Sequence, residues 1–164
     1  MSETVIDIRG LSTVLGGRSI HRELDLSVER GEVVALIGGS GSGKSVLLRE
    51  IIGLLKPQAG SIELFGQSVL DCSPEQMNQL RKRFGVLFQD GALFSSLNVE
   101  DNVATPLFEH TGLPRPLCRR LARLKLALAG LPADAARKRP SELSGGMRKR
   151  VALARALALD PELL

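Results

Sequence analysis

Aromatic side chains are scarce in this chain: five Phe, no Trp and no Tyr in 164 residues, 3% in all. A surface that grips single-stranded nucleic acid by stacking bases needs aromatic platforms, so that mode is poorly supplied here. Cysteine is scarce too. Cys72 and Cys118 lie far apart in no CxxC or metal-ligand spacing, which leaves no disulfide framework or zinc site and makes a reducing compartment the default. Long apolar runs are missing: none approaches the roughly 18 residues of a membrane-spanning helix, and the first residues carry no signal-peptide pattern. The reading is of a soluble protein that can still dock on a membrane component. Acidic residues are nearly missing from one stretch. Between Arg115 and Arg155 stand 12 of the 22 Lys and Arg, against Asp134 and Glu142 alone. Such a basic lobe suits nucleic acid or an anionic membrane surface, and equally suits solvated helix faces.

What is present in quantity is glycine, 17 residues, and one cluster of them organises the chain. Gly38-Gly39-Ser40-Gly41-Ser42-Gly43-Lys44-Ser45 fits the phosphate-loop spacing, Gly, four residues, then Gly-Lys-Ser/Thr. Ahead of it, Val33-Val34-Ala35-Leu36-Ile37 reads as a short strand buried on both faces. Behind it, Val46 to Ile52 reads as a helix. A Gly/Ser linker before an ordinary helix would share the composition, but not the order of strand, loop, Lys-Ser and helix. Curled glycines point backbone N–H groups inward as an anion nest, and the helix dipole adds to it. Lys44 would reach the β- and γ-phosphates of a nucleotide, and the Ser45 hydroxyl would ligate Mg²⁺.

Around this loop the pattern predicts an α/β protein. Thr4 to Gly10 and Leu24 to Val28 alternate as half-exposed strands, with a turn signal at Gly16-Gly17. Gly60 to Gly66 is another short strand, and Ser73-Pro74-Glu75-Gln76 opens a helix with a cap and a capping box. Arg81-Lys82-Arg83 closes that helix, where cations are favoured without any partner. Phe84 to Phe88 reads as a second buried strand ending at Gln89. Then the chain turns helical. Asn98 caps a helix to about Phe108; after Pro114 and Pro116 another follows, in which Leu117, Leu121, Leu124 and Leu128 share one face opposite Arg119, Arg120 and Arg123. Leu143-Ser144-Gly145-Gly146-Met147 precedes a helical pattern from Arg148 to Leu159. His21 and His110 read as ordinary surface residues. There is no internal repeat and no low-complexity tail.

Phosphate loop, strand-end glutamine and Ser-Gly-Gly helix start, in that order, resemble the ATP-binding subunits of ABC transporters. The resemblance runs from about Val5 to the last residue. It makes Gly38, Gly39, Ser40, Gly41, Ser42, Gly43, Lys44 and Ser45 the Walker A loop, Gln89 the Q-loop glutamine and Leu143 to Met147 the signature motif. It implies a P-loop NTPase fold of the ABC type over residues 1–164. Residues 1–89 would form the antiparallel β part and a partial RecA-like core, residues 90–158 a helical subdomain. It also implies ATP and Mg²⁺ as cofactors, with Ser45 and Gln89 on the metal, and Gln89 and Lys44 as the catalytic contribution. Two such subunits pack head to tail in this family, so that Ser144, Gly145 and Gly146 of one would bind the γ-phosphate held by the other. The implied partners are a second ATP-binding subunit, as a homodimer, and an integral-membrane permease, not nucleic acid. The implied place is the cytoplasmic side of the bacterial inner membrane, peripherally bound.

Phe88-Gln89-Asp90-Gly91-Ala92-Leu93-Phe94-Ser95-Ser96-Leu97, Glu109-His110-Thr111-Gly112-Leu113-Pro114 and Met147 look like the phospholipid-trafficking (Mla, or organic-solvent-resistance) ATPases. The expected function is therefore to power lipid trafficking across the cell envelope. A soluble ABC-type ATPase acting on nucleic acid or ribosomes, or a non-catalytic nucleotide-binding fragment, is the alternative. Two departures stand out. No aromatic lies near Val14-Leu15 to stack on adenine, which points to weaker or less selective base binding. The sequence also stops at Pro161-Glu162-Leu163-Leu164, before the Walker B Asp, catalytic Glu, D-loop and switch His that the family would supply. The chain as given is thus expected to be an incomplete domain, inactive by itself and loosely packed.

Overall fold

The computed structural model describes residues 3–89 and 91–164; Asp90, part of the lipid-subgroup stretch and the expected start of the helical subdomain, lies outside them. The chain forms two compact units, Met1–Leu80 and Arg81–Leu164. Residues 81–89, expected to go with the phosphate loop, fall in the second.

The first unit is built on an antiparallel sheet. Strand β1 (Thr4–Leu15) and strand β2 (Arg18–Glu29) pair along most of their length. The connection is the predicted Gly16-Gly17, at φ 56 and 76. Both central residues of a tight hairpin turn need positive φ, so glycine is the residue that costs least there. Strand β3 (Ala59–Leu64) joins the other edge of β1, with Ile6 opposite Leu64 and Ile8 opposite Ile62, and β4 (Gln67–Ser68) follows, in the order β2-β1-β3-β4. Ile8, Leu11, Ile62 and Leu64 are the buried face that this register aligns. Helix α1 (Lys44–Ile51) contributes Leu47 and Ile51 to that core. Helix α2 (Pro74–Arg83) begins as predicted. The Ser73 N–H donates to Gln76 Oε1 at 2.8 Å and the Gln76 N–H to Ser73 Oγ at 3.3 Å.

In the second unit, α3 (Val99–His110), α4 (Arg115–Leu128) and α5 (Gly145–Ala156) pack around Val99, Val103, Leu107, Cys118, Ala122, Leu126 and Val151. Asn98 caps α3 through its side chain, accepting from the Asp101 N–H at 2.7 Å.

Five expectations need correction. Residues 33–37 are not a buried strand: they join no ladder, and Val33 and Ile37 are 95% and 94% exposed. A parallel strand draws its hydrogen bonds from neighbours on both sides, and no strand among the described residues pairs with this run. Residues 84–88 share the cause. Phe84 makes a single parallel bridge to Leu163, the Gly85 N–H donates to Leu163 O at 2.8 Å, and Leu87 and Phe88 stay exposed. Thirdly, the leucine row of α4 is not its most buried side, and of that row Leu121 alone packs against the core. Small residues at Cys118 and Ala122, with Leu126, form the packed side, while Leu117, Leu124 and Leu128 remain exposed. Fourthly, Arg83 has a partner: its Nε lies 2.6 Å from Glu162 Oε1. Lastly, His21 is buried and His110 half-buried, so neither is a surface histidine.

Candidate functional site

The phosphate loop stands where the sequence puts it, directly ahead of α1. Residues 38–42 are exposed and Gly43 is buried at the helix entrance. Gly43 is the N-cap residue at φ 95, and no side chain caps the helix. Glycine is required twice over. The left-handed backbone strains any other residue, and a Cβ there would lie 2.7 Å from His21 Nε2 and 2.8 Å from Ile20 Cγ2.

Lys44 folds back across the loop. Its Nζ donates to Gly38 O at 2.6 Å, to Gly39 O at 2.8 Å and to Ser42 Oγ at 3.2 Å. The loop's one full positive charge is thus held at its centre by carbonyl dipoles. First-turn N–H groups of α1 without an acidic residue or side-chain cap, beside that ammonium, form an anion cradle. The geometry fits a nucleotide's phosphates. A metal ion there would draw on the exposed Ser45 hydroxyl and on phosphate oxygens, because no group of three His, Cys, Asp or Glu among the described residues can hold one.

Gln89 is exposed at the start of a turn in the second unit. The segment after it is tied down firmly. Arg155 of α5 donates to Gly91 O at 2.8 Å and Ala92 O at 2.9 Å, and its guanidinium lies 5.6 Å from the centre of the Phe94 ring. Burial lowers the guanidinium's pKa from its usual range, and the two carbonyls are its hydrogen-bond partners. Ala92 sits at φ 45, a left-handed position uncommon for a non-glycine residue, and the Arg155 contact falls on its own carbonyl. Asn102 completes the clamp. Its Oδ1 accepts from the Phe94 N–H at 2.8 Å, and its Nδ2 donates to the carbonyls of Phe94, Leu97 and Asn98.

Ser144, Gly145 and Gly146 form the exposed start of α5. Ser144 Oγ accepts from the Met147 N–H at 3.3 Å; a Cβ at Gly146 would meet nothing within 4 Å, and one at Gly145 only Arg148 Nη2, at 4.0 Å. With no acidic residue in its first turn, this is a second helix start open to an anion.

Sequence reasoning missed Arg155, Asn102 and the His21–Glu50 contact. One signal was available: Glu50 shares the helical face of Leu47 and Ile51, and a lone charge on an apolar face needs a buried partner.

Comparison with known proteins matches the ABC transporter family model over residues 21–164. The chain belongs to the ABC transporter family. Among curated relatives it is 48% identical, over 97% of its length, to the Mycobacterium tuberculosis (strain ATCC 25618 / H37Rv) "Probable ribonucleotide transport ATP-binding protein mkl", covering 44% of that protein. It is 46% identical over its whole length to the "Intermembrane phospholipid transport system ATP-binding protein MlaF" of Haemophilus influenzae, covering 62%. To the protein of that name from Escherichia coli (strain K12) it is 47% identical over 98% of its length, covering 59%. The chain therefore spans about half the length of these relatives. Among solved structures, a dimeric post-hydrolysis state of the ATP-binding cassette MJ0796 bound to ADP and Pi matches with a TM-score of 0.86. The identity is 30%, over 95% of this chain and 70% of that one. The ABC cassette fold is thus established, with the antiparallel sheet and helices described above as its parts.

Proposed function

We propose that this chain is the nucleotide-binding part of an ATPase subunit that powers an ABC membrane transporter, and that the cargo is phospholipid or another lipid. The observation that carries it is a pair of glycine-rich helix starts with no acidic residue in the first turn: the phosphate loop with Lys44 on α1, and Ser144-Gly145-Gly146 on α5. In this reading residues 38–45 bind the phosphates of one ATP. Lys44 exchanges loop carbonyls for phosphate oxygens, a charge-assisted contact of the strong kind. Ser45 and Gln89 take the magnesium side, and Gln89 orients water. Ser144, Gly145 and Gly146 act on the nucleotide of a second copy. Bound Mg-ATP supplies the phosphoryl bond whose hydrolysis drives transport. Arg155 and Asn102 fix the backbone after Gln89 to the helical unit, which gives that glutamine a firm base toward a permease. The subunit works against the inner face of the cell membrane, where residues 1–89 carry the nucleotide and residues 90–158 meet the permease.

The lipid assignment leans on the stretch Phe88 to Leu97 and on relatives named for phospholipid transport; others at similar identity are named for ribonucleotide transport. Action on nucleic acid is disfavoured by how the basic lobe is used. Arg119 pairs with Asp101, Arg123 with Glu100, Lys125 with Asp160 and Lys138 with Asp134. Arg148, Arg150 and Arg155 donate to backbone carbonyls. A strand-gripping surface would keep those cations for phosphates.

The test is Ser144→Arg in the intact subunit. Hydrolysis should fall to background while ATP still binds the monomer with unchanged affinity. Loss of both together would refute the role across the dimer.

A further inference from the structure

Behind the phosphate loop lies a buried polar link that neither the family motifs nor the relatives' names account for. Glu50, in the last turn of α1, is fully buried. A carboxylate in that place is costly twice: it has lost water, and it sits at the negative end of the helix dipole. Its two oxygens are met from two strands. Thr13 Oγ1 of β1 donates to Oε1 at 2.5 Å, and His21 Nδ1 of β2 lies 3.1 Å from Oε2. Neither Oε2 nor Nδ1 has a hydrogen-bond partner among the described residues, and the two buried atoms face each other in a close contact that lacks hydrogen-bond geometry. The opposite edge of the same ring faces Gly43, where a Cβ would stand 2.7 Å from Nε2. The imidazole is therefore held on one side by a buried carboxylate and supports the loop's helix entrance on the other.

We propose that His21 is a positioning residue for nucleotide binding. Held by Glu50 and Thr13, it sets where Gly43, and with it the first N–H groups of α1, meet the phosphates. The inference rests on the reading of residues 38–45 as the ATP site. Three elements distant in sequence converge on one ring, and that ring touches the loop at its one buried glycine. Removing the ring nitrogens leaves the buried Glu50 carboxyl with Thr13 alone as a polar neighbour, and α1 loses the contact that ties its last turn to β2. Because α1 begins at the loop, losing that tie misplaces the anion cradle.

The experiment is titration of the intact protein with a fluorescent ATP analogue and Mg²⁺, comparing parent, Lys44→Ala and His21→Phe. Phe keeps the ring's bulk and loses both nitrogens. The expected result is a Kd about tenfold weaker for His21→Phe, from the misplaced cradle, with Lys44→Ala nearly without binding. A folded His21→Phe within twofold of the parent overturns the proposal while the ATP site stands. A parent that binds no nucleotide overturns the ATP site and the proposal with it. Should His21→Phe fail to fold, the deciding readout is the His21 imidazole resonance of the parent, isotope-labelled and assigned by its loss in His21→Gln. It should shift on adding Mg-ATP and saturate with the nucleotide's own Kd. A resonance that stays fixed at saturation overturns the proposal.

Discussion

His110, the last residue of α3, shows how a single side chain sets a pH dependence. Burial lowers its pKa below the ordinary value near 6.5, and the cations Lys82 and Arg81 push the same way against Glu109. The folded chain therefore binds this proton less readily than the unfolded one. For a base with a lowered pKa, stability is intact above the unfolded value and is lost as pH falls through it toward the folded one. His110→Gln should flatten the loss of stability between about pH 7 and pH 5, seen as a smaller drop in urea midpoint. An unchanged drop would mean that other groups carry it. At the same scale, the loop residues were readable from spacing alone, because Gly-x4-Gly-Lys-Ser is a local pattern with a local cause. His21 was not: its partner Glu50 lies on another element, and strand alternation says which face a residue takes, never what waits there.

The elements were legible where short-range chemistry decides them. Gly16-Gly17 makes the β1–β2 turn, and Ser73, Asn98 and Ser144 cap α2, α3 and α5 through their own hydroxyl or amide oxygens. Legibility failed where a long-range partner decides. Residues 33–37 and 84–88 have strand-like composition, but a strand exists only beside another, and the sequence of the run does not name its neighbour. In α4 the leucine row drew the eye, while the packed side is made of Cys118 and Ala122 with Leu126. The most exacting element-level feature is the clamp on residues 91–98. Asn102 is fully buried and satisfies one N–H and three carbonyls. Asn102→Ala would strand several of them, each worth roughly 1–3 kcal/mol when buried without a partner. We expect a loss of about 2–3 kcal/mol in urea unfolding. A change below about 0.5 kcal/mol would show that the segment after Gln89 has other means of support.

At the scale of the whole molecule, each of the two units carries one glycine-rich helix start with no acidic residue in its first turn. In the unit Met1–Leu80 it is the phosphate loop; in Arg81–Leu164 it is the signature helix. In the proposed reading one chain carries both because each would serve a different nucleotide in a head-to-tail pair. Everything else described at smaller scale, from the Arg155 clamp to the His21 link, has meaning for function only if residues 38–45 hold the phosphates. Lys44 is the sharpest probe, because it bears the loop's only full charge and now spends it on two carbonyls and a hydroxyl. The direct measurement is titration of the protein and of Lys44→Ala with fluorescent ATP in the presence of Mg²⁺. The account predicts saturable binding for the parent and an affinity at least about a hundredfold weaker for the variant, of the order that removing a charge-assisted contact to phosphate allows. Equal affinities in two equally folded proteins would contradict it.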